Sequence, residues 1–244
     1  MKIRIDILTL FPELIDAYAN EGMMKRAQEK KIAKISAYQI RNFATGKHHK
    51  VDDRPFGGGA GMVMKVEPIF YALKTIKAKP KTARSKIILL SPRGTPFDQR
   101  MAERLSKLDR LVLLCGRYEG VDERVSKYLI DEEVSVGSFI LTGGELGALM
   151  ITDAVTRLLP GVLGNDESAA HETFSGPEKK SKLNISNQAS YLEHPHYTRP
   201  EIFSPNARLK WVVPKILLSG DHKKIKAWRE KESLKLAKKH KPSH

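Results

Sequence analysis

Four times before residue 130 a short apolar run is followed by a stretch with helical spacing, and this repetition restricts the fold more than any single motif. KIRIDILTL precedes FPELIDAY; KIAKISAYQI precedes a glycine-rich loop and EPIFYALKTIKA; SKIILLS precedes FDQRMAERLSKL; RLVLLCG precedes VDERVSKYL. The runs IILL and LVLLC show no polar alternation, as expected of strands buried on both faces, and the helices between them serve as crossovers. The chain is therefore expected to be α/β with a mostly parallel sheet. Ligands of such sheets collect at the carboxyl ends of strands, which directs attention to SPRG after IILL and GRYEG after LVLLC.

A second feature, DDRPFGGGAGM, carries four glycines in five positions beside Asp52, Asp53 and Arg54. It matches neither a Walker loop, because Met62-Val63-Met64 stand where lysine and a hydroxyl are needed, nor the dinucleotide pattern GxGxxG. Its glycines allow the backbone to approach a ligand closely. His48 and His49 lack the further spaced ligands of a zinc site, so no metal is expected.

Charge points to the class of partner. The 244 residues carry 43 basic and 28 acidic side chains, a formal +15, which predicts a polyanion. The excess is concentrated: residues 68–97 hold seven basic side chains and no acidic one, and residues 221–244 hold nine against three. One cysteine, Cys115, excludes an intrachain disulfide and fits a reducing, cytoplasmic compartment. The longest apolar stretch, SFILTGGELGALMI, is too short and too polar to span a bilayer, so no membrane partner is expected.

Composition divides the chain into a region 1–164, a polar linker 165–190 and a small basic helical region 191–244. The linker reads as mobile, and LSGDHKKIKAWREKESLKLAKKH reads as a helix with Ser219 or Asp221 at its cap.

Three long segments, LLCGRYEGVDER, DEEVSVGSFILTGGELGALMITDAVTRLLPGVLGN and HPHYTRPE, occur together with DDRPFGGGAGM and LLSGDHKKIKAWR. In this combination and order the chain closely resembles the bacterial tRNA (guanine-N1)-methyltransferases of the TrmD type, from Phe11 to about Arg229. The resemblance implies a SPOUT-class fold with a deep trefoil knot in the C-terminal part of the α/β domain, a linker and a helical tRNA-binding domain. It also implies a homodimer with active sites at the subunit interface, S-adenosylmethionine as methyl donor, and guanine 37 of tRNA as acceptor. It leaves open whether magnesium takes part.

Carried over residue by residue, the family's cofactor pocket falls on Ser91, Pro92 and Gly94, on Gly116, Tyr118 and Glu119, and on Ser135, Val136, Gly137, Phe139, Leu141, Gly143 and Gly144. RNA contacts fall on Asp53, Arg54, Gly58, Gly59 and Thr173. Guanine N1 carries a proton at neutral pH, so methylation needs a carboxylate base and a cation facing the charge that develops on the neighbouring carbonyl oxygen. The family's arginine maps to Arg157. Its aspartate, usually in a DSF motif, is replaced here by Glu172 in ETF, with Asp166 in GNDES as the runner-up. A family proline after GGEL is Gly147 here, and the linker before HPHYTRPE is about a dozen residues longer than usual. A tRNA-binding protein that kept the fold and lost the chemistry is the rival reading.

Overall fold

The computed structural model describes residues 2–163, 192–206 and 208–239. It separates into two compact units, Met1–Gly164 and Asn165–His244. Residues 165–190, read above as a linker, lie outside the described residues.

The first unit alternates strands and helices as the sequence predicts. Its strands are β1 (Ile3–Thr9), β2 (Ala33–Gln39), the two short strands β3 (Asp52–Asp53) and β4 (Val63–Met64), β5 (Ser85–Pro96), β6 (Arg110–Cys115) and β7 (Glu132–Ser135). Its helices are α1 (Pro12–Ala19), α2 (Gly22–Glu29), α3 (Val66–Thr75), α4 (Gln99–Leu105), α5 (Glu123–Tyr128) and α6 (Glu145–Arg157). Five strands form one sheet in the order β2-β1-β6-β5-β7, and every pair in it is parallel.

Both faces of this sheet are covered, which explains why its strands read as continuous apolar runs. Ile88 and Leu90 of β5, with Leu111 and Leu113 of β6, face a core completed by Ile15, Met24, Leu105, Ile151 and Val155 from the helices. The alternating residues Ile87, Leu89, Val112 and Leu114 face the other way, onto Ile69, Ala72 and Leu73 of α3 and Val125 of α5.

A carboxylate interrupts this apolar interior. Asp6, in the middle of β1, is fully buried. Arg4 Nε lies 2.8 Å from one of its oxygens and Arg110 Nη2 lies 2.6 Å from the other. Arg110 also donates to the carbonyls of Ile76 and Lys77 at 2.7 and 3.1 Å, closing the end of α3. Two guanidinium groups thus compensate a charge that would be costly to bury alone, and they tie α3 to the sheet.

The second unit contains helix α7 (His222–Lys239), as the sequence suggests. It also contains an antiparallel hairpin of β8 (Ile202–Asn206) and β9 (Leu209–Val212), followed by a 3-10 turn, Lys215–Leu218. The hairpin was not anticipated, because Pro205 falls inside its first strand and proline ordinarily argues against one. The segment before it packs on α7: Trp228 stands 6.5 Å from the His194 ring and 6.3 Å from the Tyr197 ring, and the Ser233 hydroxyl donates to the Leu192 carbonyl. No helix among the described residues is long and apolar enough to cross a membrane.

Removing Asp6 leaves two arginines facing each other over the middle of β1. Asp6→Ala is expected to lower the stability of the first unit by about 3 kcal/mol, near the low end for a broken buried pair because both arginines keep some access to water. Urea unfolding followed by circular dichroism measures this.

Candidate active site

A break in the register of β5 creates the first wall of the site. Ile88–Leu90 pair with Glu132–Val134, and pairing resumes at Thr95 with Val134 again, so residues 91–94 leave the ladder as a bulge. Ser91 and Pro92 line the space thus opened. Gly94 brings the chain back: a Cβ there would stand 2.6 Å from the carbonyl carbon of Val134 and 2.5 Å from that of Glu133, so only glycine closes the bulge without displacing β7.

The second wall follows β6. Gly116 leaves the strand, Tyr118 adopts a positive φ of 59°, and the Gly120 N–H donates to the Arg117 carbonyl at 3.0 Å, which makes a tight turn. The third wall is the segment from Ser135 to Gly144 that follows β7. It docks on the second through a hydrogen bond from the Gly144 N–H to the Gly116 carbonyl, 2.9 Å. A Cβ on Gly144 would lie 2.8 Å from Cys115 Cα, so this contact also requires glycine.

Together the three loops enclose a cavity of about 460 Å³ at the carboxyl ends of β5, β6 and β7. Twelve of the thirteen residues assigned to the cofactor line it: Ser91, Pro92, Gly116, Tyr118, Glu119, Ser135, Val136, Gly137, Phe139, Leu141, Gly143 and Gly144. Gly94 does not; it shapes the cavity from behind. Leu89, Leu90, Val134 and Val136 supply apolar walls. Gly147 also lines the cavity, and a Cβ there would stand 3.1 Å from the Leu90 side chain and 3.4 Å from that of Val136. Those two side chains occupy the space nearest Gly147.

Beneath the cavity sits a buried carboxylate to which the sequence reading gave no role. Glu145, the first residue of α6, accepts from the Thr9 hydroxyl at 2.7 Å and from Arg117 Nε at 3.0 Å. The Arg117 guanidinium lies 4.4 Å over the Phe11 ring and donates to the Thr142 carbonyl. Thus β1, the turn after β6 and the loop before α6 meet at one ion pair, and a negative charge at a helix N-terminus is favoured by the helix dipole.

The glycine-rich loop stands next to this cavity. Its stem, β3 and β4, hydrogen-bonds to the second wall: Glu119 N–H to the Met62 carbonyl at 3.0 Å, and Met64 N–H to the Gly120 carbonyl at 2.9 Å. Gly57, Gly58, Gly59 and Gly61 all have positive φ, and a side chain at Gly61 would strike Glu119. Asp53, Arg54, Gly58 and Gly59 are exposed in this hairpin, with Phe56 at its tip 99% exposed. Among the described residues no cluster of His, Cys, Asp or Glu is arranged to hold a metal ion.

Arg157 is not at this cavity. It ends α6, twelve residues from Glu145, which corresponds to about 18 Å along the helix axis. Leu146 and Met150 are exposed on α6, and Phe11, Leu14 and Tyr18 are exposed on or beside α1. The Tyr18 hydroxyl donates to Asp153 of α6 at 2.5 Å, so the two helices present these side chains together. Glu172, Thr173 and Asp166 lie outside the described residues.

A family model described as tRNA (guanine-1)-methyltransferase TrmD matches residues 3–243. The chain belongs to the TrmD family. It is 50% identical over 232 residues to a tRNA (guanine-N(1)-)-methyltransferase of Carboxydothermus hydrogenoformans, covering 95% of this chain and 83% of the relative. Proteins of the same description from Dehalococcoides mccartyi and Listeria welshimeri are 45% and 46% identical, covering 98% and 96% of this chain and 89% and 88% of theirs.

In this TrmD-family chain the cavity rim carries charged residues that motif reading passed over. Arg93, on the bulge, pairs with Glu133 at 2.9 Å and with Glu123 at 2.8 Å. Burial pushes the Glu133 carboxyl up, but hydrogen bonds from Arg93, Ser126 and Ser91 outweigh it and hold the group below its ordinary value. Glu132, beside Arg104, is held down in the same direction. The signal available in the sequence was weak: an arginine inside SPRG with acidic partners 30 and 40 residues away.

Two outcomes are expected from this geometry. Gly94→Ala drives a methyl group into the backbone of β7 and should cost about 1–3 kcal/mol, as overpacking does, while weakening ligand binding in the cavity; thermal unfolding with and without ligand measures both. Because Glu132 and Glu133 titrate lower when folded than when unfolded, their contribution is present above the ordinary glutamate range and is lost as pH falls through the folded values. Melting temperature should therefore drop below about pH 4.3, less steeply in Arg93→Met.

Proposed function

We propose that the chain transfers a methyl group from S-adenosylmethionine to N1 of guanine 37 in tRNA, as a cytoplasmic enzyme. The observation that carries this reading is the three-walled cavity at the strand ends, found in a chain that the TrmD family model matches from residue 3 to residue 243. Its volume lies within the usual range of about 300–1,000 Å³ for small-molecule sites. The residues fit the donor chemically: leucine, valine and Phe139 side chains suit an adenine ring, and Gly116 and Gly144 line the cavity with bare backbone. When bound, the sulfonium supplies a methyl group already activated for in-line transfer.

The chain's own residues then have three tasks. The cavity loops fix the donor, and the glycine-rich hairpin against Glu119 offers backbone and the Asp53 and Arg54 side chains to the anticodon region. Glu172 takes the N1 proton, with Thr173 beside it. Arg157 faces the negative charge that develops on the guanine carbonyl oxygen.

Arg157 lies about 15 Å along the helix axis beyond Gly147, the α6 residue that lines the cavity of its own chain, which supports an active site completed by a second copy. The apolar set Phe11, Leu14, Tyr18, Leu146 and Met150 supports the same homodimer. The bulge in β5 and the docking of Gly144 on Gly116 support a knotted passage of the chain in this part of the fold. The cationic second unit would hold the tRNA, joined through 165–190.

Methyl transfer to two tRNA transcripts that differ only in guanine or adenine at position 37 tests the reaction, and equal labelling of both would overturn it. Within it, Glu172→Gln should slow single-turnover transfer by roughly 100-fold or more. Glu172→Asp should retain substantial activity, and Asp166→Asn should change little. A fast Glu172→Gln variant beside an inactive Asp166→Asn variant would move the base to Asp166.

A further inference from the structure

The hairpin β8–β9 exposes more apolar surface than its size accounts for. Ile202, Phe203, Leu209, Trp211 and Val212 are each half exposed or more, with Trp211 at 61%. Phe203 and Trp211 are direct cross-strand partners, so their rings share one face of the ribbon, with centroids 5.6 Å apart. Ile202 and Val212, also paired, share the opposite face. A two-stranded ribbon with both faces in water is marginal on its own; between its strands the Asn206 side chain accepts from the N–H groups of Arg208 and Leu209 at 2.9 and 3.0 Å.

Charge identifies what covers such a ribbon. From residue 202 to 219 there is no acidic side chain, while Arg208 sits at the tip, Lys210 lies between the two apolar residues Leu209 and Trp211, and Lys215 follows. Helix α7, in the same unit, carries eight basic side chains and two acidic ones. An occupant must therefore meet an aromatic face and carry negative charge. A nucleobase meets both requirements: its face stacks on aromatic rings, and its flanking phosphates meet the cations.

We infer that Phe203 and Trp211 form a stacking platform for an unpaired nucleobase of the RNA substrate, with Arg208 and Lys210 on the adjoining phosphates. This rests on the proposed tRNA activity and adds a contact that sets affinity without touching the reacting atoms.

The sequence has two tryptophans, so Trp228→Phe leaves Trp211 as the sole reporter. Titration of that variant with a tRNA transcript should quench its fluorescence with the same midpoint as filter binding, and a fully paired RNA duplex should not quench it. In the otherwise native chain, Trp211→Ala should weaken tRNA binding by about tenfold, raising KM for tRNA while leaving kcat and S-adenosylmethionine affinity unchanged. Trp211→Phe should retain most of the affinity. The salt slope should persist in Trp211→Ala and fall by about one in Arg208→Ala. Unquenched fluorescence with unaltered affinity in Trp211→Ala overturns the platform, and so does a halved molecular mass of that variant in solution, which would make the ribbon a contact between chains. If the wild type methylates tRNA and those results hold, only the platform fails. If the wild type binds no tRNA, the functional reading fails with it.

Discussion

The hydrogen bond from the Gly144 N–H to the Gly116 carbonyl joins two chain segments whose backbones come closer than any side chain permits. The site depends on that approach. It sets the start of α6, so that Glu145 falls beneath the cavity where Thr9 and Arg117 reach it. Arg117 is turned toward Phe11 and away from the cavity centre, and the backbone of its turn is left to face the ligand space. With the bulge at residues 91–94 on the other side, three loops with few bulky polar groups define a slot of fixed width.

That slot has the character of a small-molecule site. It has apolar walls and backbone donors and acceptors, as such sites generally do, and the arginines at its rim, Arg93 and Arg117, are paired with carboxylates. The basic run from residue 68 to 97 and the basic helix α7 carry charge suited to a polyanion. The glycine-rich hairpin links the two kinds of surface, because its stem is hydrogen-bonded to the cavity wall while its tip, with Arg54 and Phe56, stands in solvent. Positive φ at four of its glycines fixes a conformation that side chains would strain.

The position of Arg157 follows from helix geometry and not from any motif. An arginine in the same apolar segment as LTGGEL looks close to the cofactor loops in sequence, yet thirteen helical residues carry it away from them. The same helix brings Leu146 and Met150 to the surface beside α1. One element therefore begins at the cavity and ends at a cation, with exposed Leu146 and Met150 between.

The sequence by itself determined the sheet and where the loops at its strand ends would lie. IILL and LVLLC could only be strands covered on both faces, and their carboxyl ends are where Ser91, Pro92, Gly116 and Tyr118 line the cavity, because hydrophobic periodicity is a local property of the chain. Tertiary structure alone decided which partners those residues met. Gly94 lies in the SPRG motif and abuts the backbone of β7; Glu145, to which the sequence reading gave no role, anchors Arg117; Arg93 finds Glu123 and Glu133 across 30 and 40 residues. The hairpin around Pro205 was hidden for the same reason, since an edge strand tolerates a proline that a central strand would reject. Close backbone approach, ion pairing and strand position depend on residues far apart in the chain, and no pattern of neighbours in a sequence encodes them.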